Sequence, residues 1–144
     1  MKSLLFFRRP ALLAILFVAS LSACKKQDSV LTPDLGARVA GQYNFSEASS
    51  GGKTYPASQT NLKGGIVVTR ESATTVSIEL SFQLKSTGET YAEDAADNVT
   101  VTETSGGNIE YRYDGTVIAR GNGNKISVEG EGPDGAPITL TSTK

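Results

Sequence analysis

The sequence predicts an all-β domain, an antiparallel up-and-down meander of about eight strands that closes into a small barrel, with a two-sheet sandwich as the alternative. Three observations predict it. From Thr75 to Lys85 apolar residues recur at every second position: Val76, Ile78, Leu80, Phe82 and Leu84 share one face, and Thr75, Ser77, Glu79, Ser81, Gln83 and Lys85 share the other. That period of two belongs to a half-buried strand and to no helix. Shorter alternating stretches recur from Arg38 onward, and the breaks between them carry turn chemistry. Alternation alone fits barrel and sandwich alike. Consecutive strands joined by short hairpins favour closure, which leaves no unpaired edge.

Met1 to Ala23 is built like a secretory signal. Lys2, Arg8 and Arg9 make it positive, no acidic residue precedes Asp28, Ala11 to Ala19 is apolar, and Ser20 to Ala23 supplies small residues. The apolar run is shorter than the roughly 20 residues a membrane-spanning helix needs, so a cleaved signal is expected. Leu21-Ser22-Ala23-Cys24 resembles the bacterial lipobox, and Cys24 is the only cysteine in the chain. The resemblance implies cleavage before Cys24, a thioether-linked diacylglyceryl group on it and an added acyl chain such as palmitate. Two or three chains anchor stably where one binds only marginally. The alternative is a plain secretory peptide with a chance cysteine. Lys25 stands where an Asp would imply retention in the inner membrane, so the resemblance implies an outer-membrane lipoprotein, on the periplasmic or the surface face. Lys25 to about Ala37 is polar with one proline and reads as a flexible tether. The organisation expected is therefore a signal peptide over 1–23, a lipidated tether over 24–37 and a barrel domain over 38–144.

The strands follow in order. Val39, Gly41, Tyr43 and Phe45 alternate with Ala40, Gln42 and Asn44; Ile66-Val67-Val68 follows a Gly64-Gly65 break; the Thr75–Lys85 strand comes next. Val99 and Val101, then Ile109, Tyr111 and Tyr113, then Val117 and Ala119, then Ile126 and Val128, then Ile138 and Leu140 complete the set. Asn122-Gly123 is a strong hairpin signal, because a type I′ turn needs positive φ at both central residues. A two-residue turn there sets Ala119 opposite Ile126 and Val117 opposite Val128. At Asp114-Gly115 the same rule sets Ile109 opposite Arg120 and buries an arginine. A bulge that brings Tyr111 opposite Ala119 restores the faces. Two connections are long: Ser46 to Lys63, expected to be a mobile loop, and Ser86 to Asp97, where Ala92 to Asp97 reads as a loop with at most one helical turn.

Gly41-Gln42-Tyr43 at the first strand resembles the Gly-x-Trp of lipocalin-like barrels, with Tyr in place of Trp, and a long connection follows the first strand as it does in that family. The resemblance implies a barrel whose interior takes a small hydrophobic ligand. Tyr43, Phe45, Phe82, Tyr111 and Tyr113 are the candidate lining residues. The competing expectation is that these aromatics fill the barrel, since eight strands enclose little more than their own side chains. The protein then acts as a structural or protein-interaction module of the envelope, a hydrolase inhibitor included, through its outer face and an apolar patch including Ile118.

Composition narrows the chemistry. Without residues 1–23 the 144-residue chain keeps 121 residues, 11 basic and 15 acidic, a net charge of −4. That balance argues against nucleic acid and against anionic headgroups as partners. The chain has no His and no Trp, and lipidation consumes its thiol. The usual transition-metal ligands and the commonest general base are missing. The reading is a non-enzyme without catalytic residues, metal or cofactor. Glu93, Asp94 and Asp97 could form a Ca²⁺ site or a solvated loop, and Glu129 and Glu131 share the outer face of one strand, where carboxylates serve solubility.

Overall fold

A computed structural model describes residues 34–144. The predicted signal peptide, Cys24 and most of the predicted tether lie outside the described residues. The described chain opens on a short helix, α1 (Leu35–Val39), whose N-terminus is capped by the Asp34 carboxylate accepting from Ala37 N at 2.8 Å. Leu35, which precedes the boundary expected at Arg38, and Val39 are buried in the core. Gly36 is required there: its N–H donates to Ala73 O at 3.0 Å, and a Cβ would run into the Ser72 carbonyl.

Nine antiparallel strands follow: β1 (Gly41–Ser50), β2 (Lys53–Pro56), β3 (Leu62–Arg70), β4 (Thr75–Leu84), β5 (Thr90–Glu103), β6 (Ile109–Tyr113), β7 (Thr116–Gly121), β8 (Lys125–Glu131) and β9 (Pro137–Thr143). Eight of them, β1 and β3 to β9, pair in chain order, and β9 returns to pair with β1, closing the barrel. The meander is the predicted one; the sandwich is not formed. β2 is the addition. The segment read as a loop continues β1 to Ser50, turns at Gly51-Gly52, where both φ values are positive (56° and 76°), and returns as β2 along Glu47–Ser50. This type I′ geometry makes a tight hairpin. A 3₁₀ turn at Ala57–Gln59 follows, and Lys85 Nζ ties it down by donating to Ala57 O at 2.5 Å and Thr60 O at 2.9 Å.

The registers test the turn arguments. Tyr111 pairs with Ala119 and Tyr113 with Thr116, with a bulge between, as the sequence requires if Arg120 is to stay outside. Asp114 (φ 47°) and Gly115 (φ 77°) form the two-residue turn. At the next hairpin the turn centres one residue later than expected. Asn122 N donates to Lys125 O at 3.0 Å, so Gly121 faces Ile126 and Ala119 faces Val128. The cause is local: Asn122 Oδ1 accepts from Asn124 N and Lys125 N and builds the corner itself. A two-residue change of register keeps every side chain on its face, so the core is unaffected.

β5 corrects another expectation. Ala92 to Asp97 is neither loop nor helical turn but part of a strand paired with β4, Phe82 facing Ala92, Leu80 facing Asp94 and Ile78 facing Ala96. The weak apolar content of this segment hid it; β4, strongly patterned, supplies the ladder it joins. Gly64 and Gly65 do not break β3 either. They let it bend: Gly64 has φ 128°, and a Cβ on either residue would meet a neighbouring strand's carbonyl, Ser81 or Tyr43.

Candidate functional site: an apolar cleft at the open end

Strand direction gives the barrel two different ends. At one lie α1, the starts of β1, β4, β6 and β8, and the ends of β3, β5, β7 and β9. This end is closed. Tyr43 is fully buried, and its hydroxyl lies 2.6 Å from Val39 O and 3.0 Å from Gly123 O, positioned to donate to either carbonyl. Lys144 Nζ stands 5.1 Å from the centre of the Tyr43 ring and donates to Arg38 O at 3.1 Å. Phe45 and Phe82 meet edge to face at 5.7 Å between centroids. Tyr111 is fully buried, and its hydroxyl has no hydrogen bond of good geometry. Burial, then the neighbouring Tyr43 phenol, push its acidity far below that of a free tyrosine; burial raises the pKa of Tyr43 as well.

The other end is open on one side. The β2 hairpin and the 3₁₀ turn fold over the β1–β3–β4 side, where Ala57 packs against the core. On the opposite side two ladders stop early. β6 pairs only with Thr100–Glu103 of β5, and β7 pairs with β8 only from Ala119 to Gly121. The upper part of β5 and the upper part of β8 therefore diverge above the short β6–β7 hairpin. Between them lies a cleft of about 1010 Å³, whose floor and walls include Ile78, Leu80, Phe82, Ile118, Val128 and Ile138. Ile78 and Phe82 are buried and the other four are half-buried against the core, so apolar surface continues from the core to solvent.

The five predicted lining aromatics separate accordingly. Tyr43, Phe45 and Tyr111 are buried and are not among the cleft lining; Phe82 is buried and lines the cleft wall; Tyr113, 49% exposed, stands at the rim. Ile118, read as part of an outside patch, is the bulged residue of β7 and lines the cleft. Sequence reasoning missed Leu80, Val128 and Ile138 as lining residues. They carried the inward pattern, but nothing in that pattern separates a filled level of a barrel from an empty one.

The charges are placed unevenly. Asp94 shares the inner face with Leu80, whereas Glu93, on β5, and Glu129 and Glu131, on β8, stand along the two lips. Arg120 is the basic residue of the lining, and it already lies 3.8 Å from Glu110 and 3.5 Å from Glu129.

No protein-family model matches the chain, and no curated protein matches it. Among solved structures the chain is similar to one described as the de novo design of a fluorescence-activating β-barrel, with 15% identity over 78% of this chain and 99% of that one and a TM-score of 0.42. What the ladders themselves define is a small closed β-barrel, eight strands around and one strand added at the open rim.

Proposed function

We propose that this protein is a non-catalytic lipoprotein of the bacterial envelope, anchored in the outer membrane through acylated Cys24, that binds a small hydrophobic molecule in the cleft of its barrel. The observation that carries the binding reading is the cleft: about 1010 Å³ of open space lined by apolar side chains and, at its edges, by charged ones. Pockets for small molecules are commonly 300–1,000 Å³ and mainly apolar, with a few polar groups. The anchor reading is supported by the signal-like N-terminus and its single cysteine.

A neutral dye that fluoresces in apolar surroundings, N-phenyl-1-naphthylamine, tests the cleft. The soluble chain 25–144 is expected to bind it at one site, and Ile138→Trp, which fills the cleft, is expected to cut binding at least about tenfold while the strand spectrum by circular dichroism stays unchanged. Absence of dye binding by the unaltered chain would overturn the reading in favour of an interaction module, for which the unpaired upper edge of β5 is the feature in hand. For the anchor, Cys24→Ser is expected to abolish radioactive palmitate labelling and release the protein from membranes; persistent labelling would refute it.

A further inference from the structure

We propose that the cleft selects amphipathic molecules with an apolar body and a cationic head. This rests on the reading of the cleft as a ligand site; the cavity is the site, and the groups around it decide what enters.

Three observations bear on the head group. The inner face of β5 reads Ala92, Asp94, Ala96 opposite Phe82, Leu80 and Ile78, so Asp94 places a carboxylate in the middle of an otherwise apolar pair of rows. An inward charge breaks the pattern that forms the rest of the barrel. Asp94 accepts a hydrogen bond from Ala95 N at 2.9 Å, and no lysine or arginine forms an ion pair with it among the described residues. The second observation is the lips. Glu93 on β5 and Glu129 and Glu131 on β8 are among the lining residues, and the basic residue of the lining, Arg120, is shared between Glu110 and Glu129. A ligand passing between β5 and β8 thus meets an excess of negative charge before it reaches apolar surface, which favours cations and repels anions. The third is the depth of the site. Along the β4–β5 ladder Phe82 and Ala92 lie one step nearer the mouth than Leu80 and Asp94, and Ile78 and Ala96 one step deeper, so an apolar chain seated against Ile78 leaves its polar end at the level of the carboxylate.

An inward charge beside an unpaired strand edge also serves to discourage edge-to-edge pairing between copies. That role predicts no preference among ligands, which separates it from ours.

The experiment uses three molecules of equal chain length, dodecyltrimethylammonium, dodecanol and dodecanoate, each displacing N-phenyl-1-naphthylamine from the chain 25–144 below its micellar range. The ammonium is expected to bind about tenfold more tightly than the carboxylate, with the alcohol between them, a difference that a few partly screened charges can supply. Asp94→Asn is expected to narrow the ratio to about threefold, added salt to narrow it further, and Glu79→Gln, on the outer face of β4, to leave it unchanged. Equal affinity for all three, or a preference for the carboxylate, would overturn the head-group assignment while leaving the cleft an apolar site. No binding of dye or displacer would remove the ligand site and this selectivity together.

Discussion

The two ends of this barrel are built from the same alternating strands and do opposite things with them. At the closed end, helix α1 and the Asn122 corner bring carbonyls to the Tyr43 hydroxyl, Lys144 covers its ring, and Ile109, Tyr111, Ile126 and Val99 are fully buried. At the open end the inward positions belong to Leu80, Ile138 and Val128, which stay half-exposed because β6 and β7 are too short to shut the wall above them. The difference teaches that inward-facing is not the same as packed. A level of the barrel is filled only where ladders on all sides hold the strands together. The closed end is packed, and the open end leaves a cleft.

The matched pair Ile126→Asp and Ile138→Asp would break this comparison most directly. Burying a carboxylate without a partner costs several kcal/mol, so Ile126→Asp, at a site of 0% exposure, is expected to unfold the domain. Ile138→Asp, at the cleft wall, is expected to leave it folded with a lowered melting temperature. Circular dichroism melts decide it, and similar losses at both sites would erase the distinction between the ends.

A smaller effect sharpens the account of the closed end. Tyr43→Phe removes a hydroxyl bonded to backbone carbonyls and is expected to cost about 1–2 kcal/mol in urea unfolding. Tyr111→Phe removes a buried hydroxyl without a hydrogen-bond partner and is expected to be neutral or stabilising. The reverse order would mean that the Tyr111 hydroxyl holds the core together.

The smallest effect is at the surface of the closed end. Asp34 caps α1 and pairs with Arg70 at 2.9 Å, and the Arg70 hydrogen bonds, then that from Ala37, lower its pKa below the usual 3.8. The folded state therefore binds fewer protons there than the unfolded one. The stabilisation is complete above the unfolded pKa and is lost as pH falls through the folded one. Asp34→Asn keeps a capping side chain but cannot ionise. The melting temperature of the wild type is expected to exceed that of Asp34→Asn at about pH 6, with the gap closing toward about pH 2–3. A gap independent of pH would remove the ionised carboxylate from the account.

Much of the fold was legible because its causes are local. The Thr75–Lys85 alternation names β4 and its buried face outright, and Asp114-Gly115 with Tyr111 and Ala119 demanded a bulge that is present. Ala92 to Asp97 was not legible, since a strand this polar is held by its neighbour β4 rather than by its own preference. The hairpin at Gly51-Gly52 carried its turn residues openly, but β2 has no buried side chain to announce a strand. Of the five candidate aromatics, Phe82 and Tyr113 line the cleft, while Tyr43, Phe45 and Tyr111 lie away from it.

The amino-acid sequence by itself determined the class of fold, the order of the strands, the faces they bury and the absence of histidine chemistry. Period, turn residues and composition act over a few residues and need no partner to be read. Only the tertiary structure decided where the interior is filled and where it opens, which aromatics are core, and which carboxylate lies on the cleft's apolar face. Those outcomes depend on how far each ladder runs before its partner ends, a property of pairs of strands that no single stretch of sequence contains.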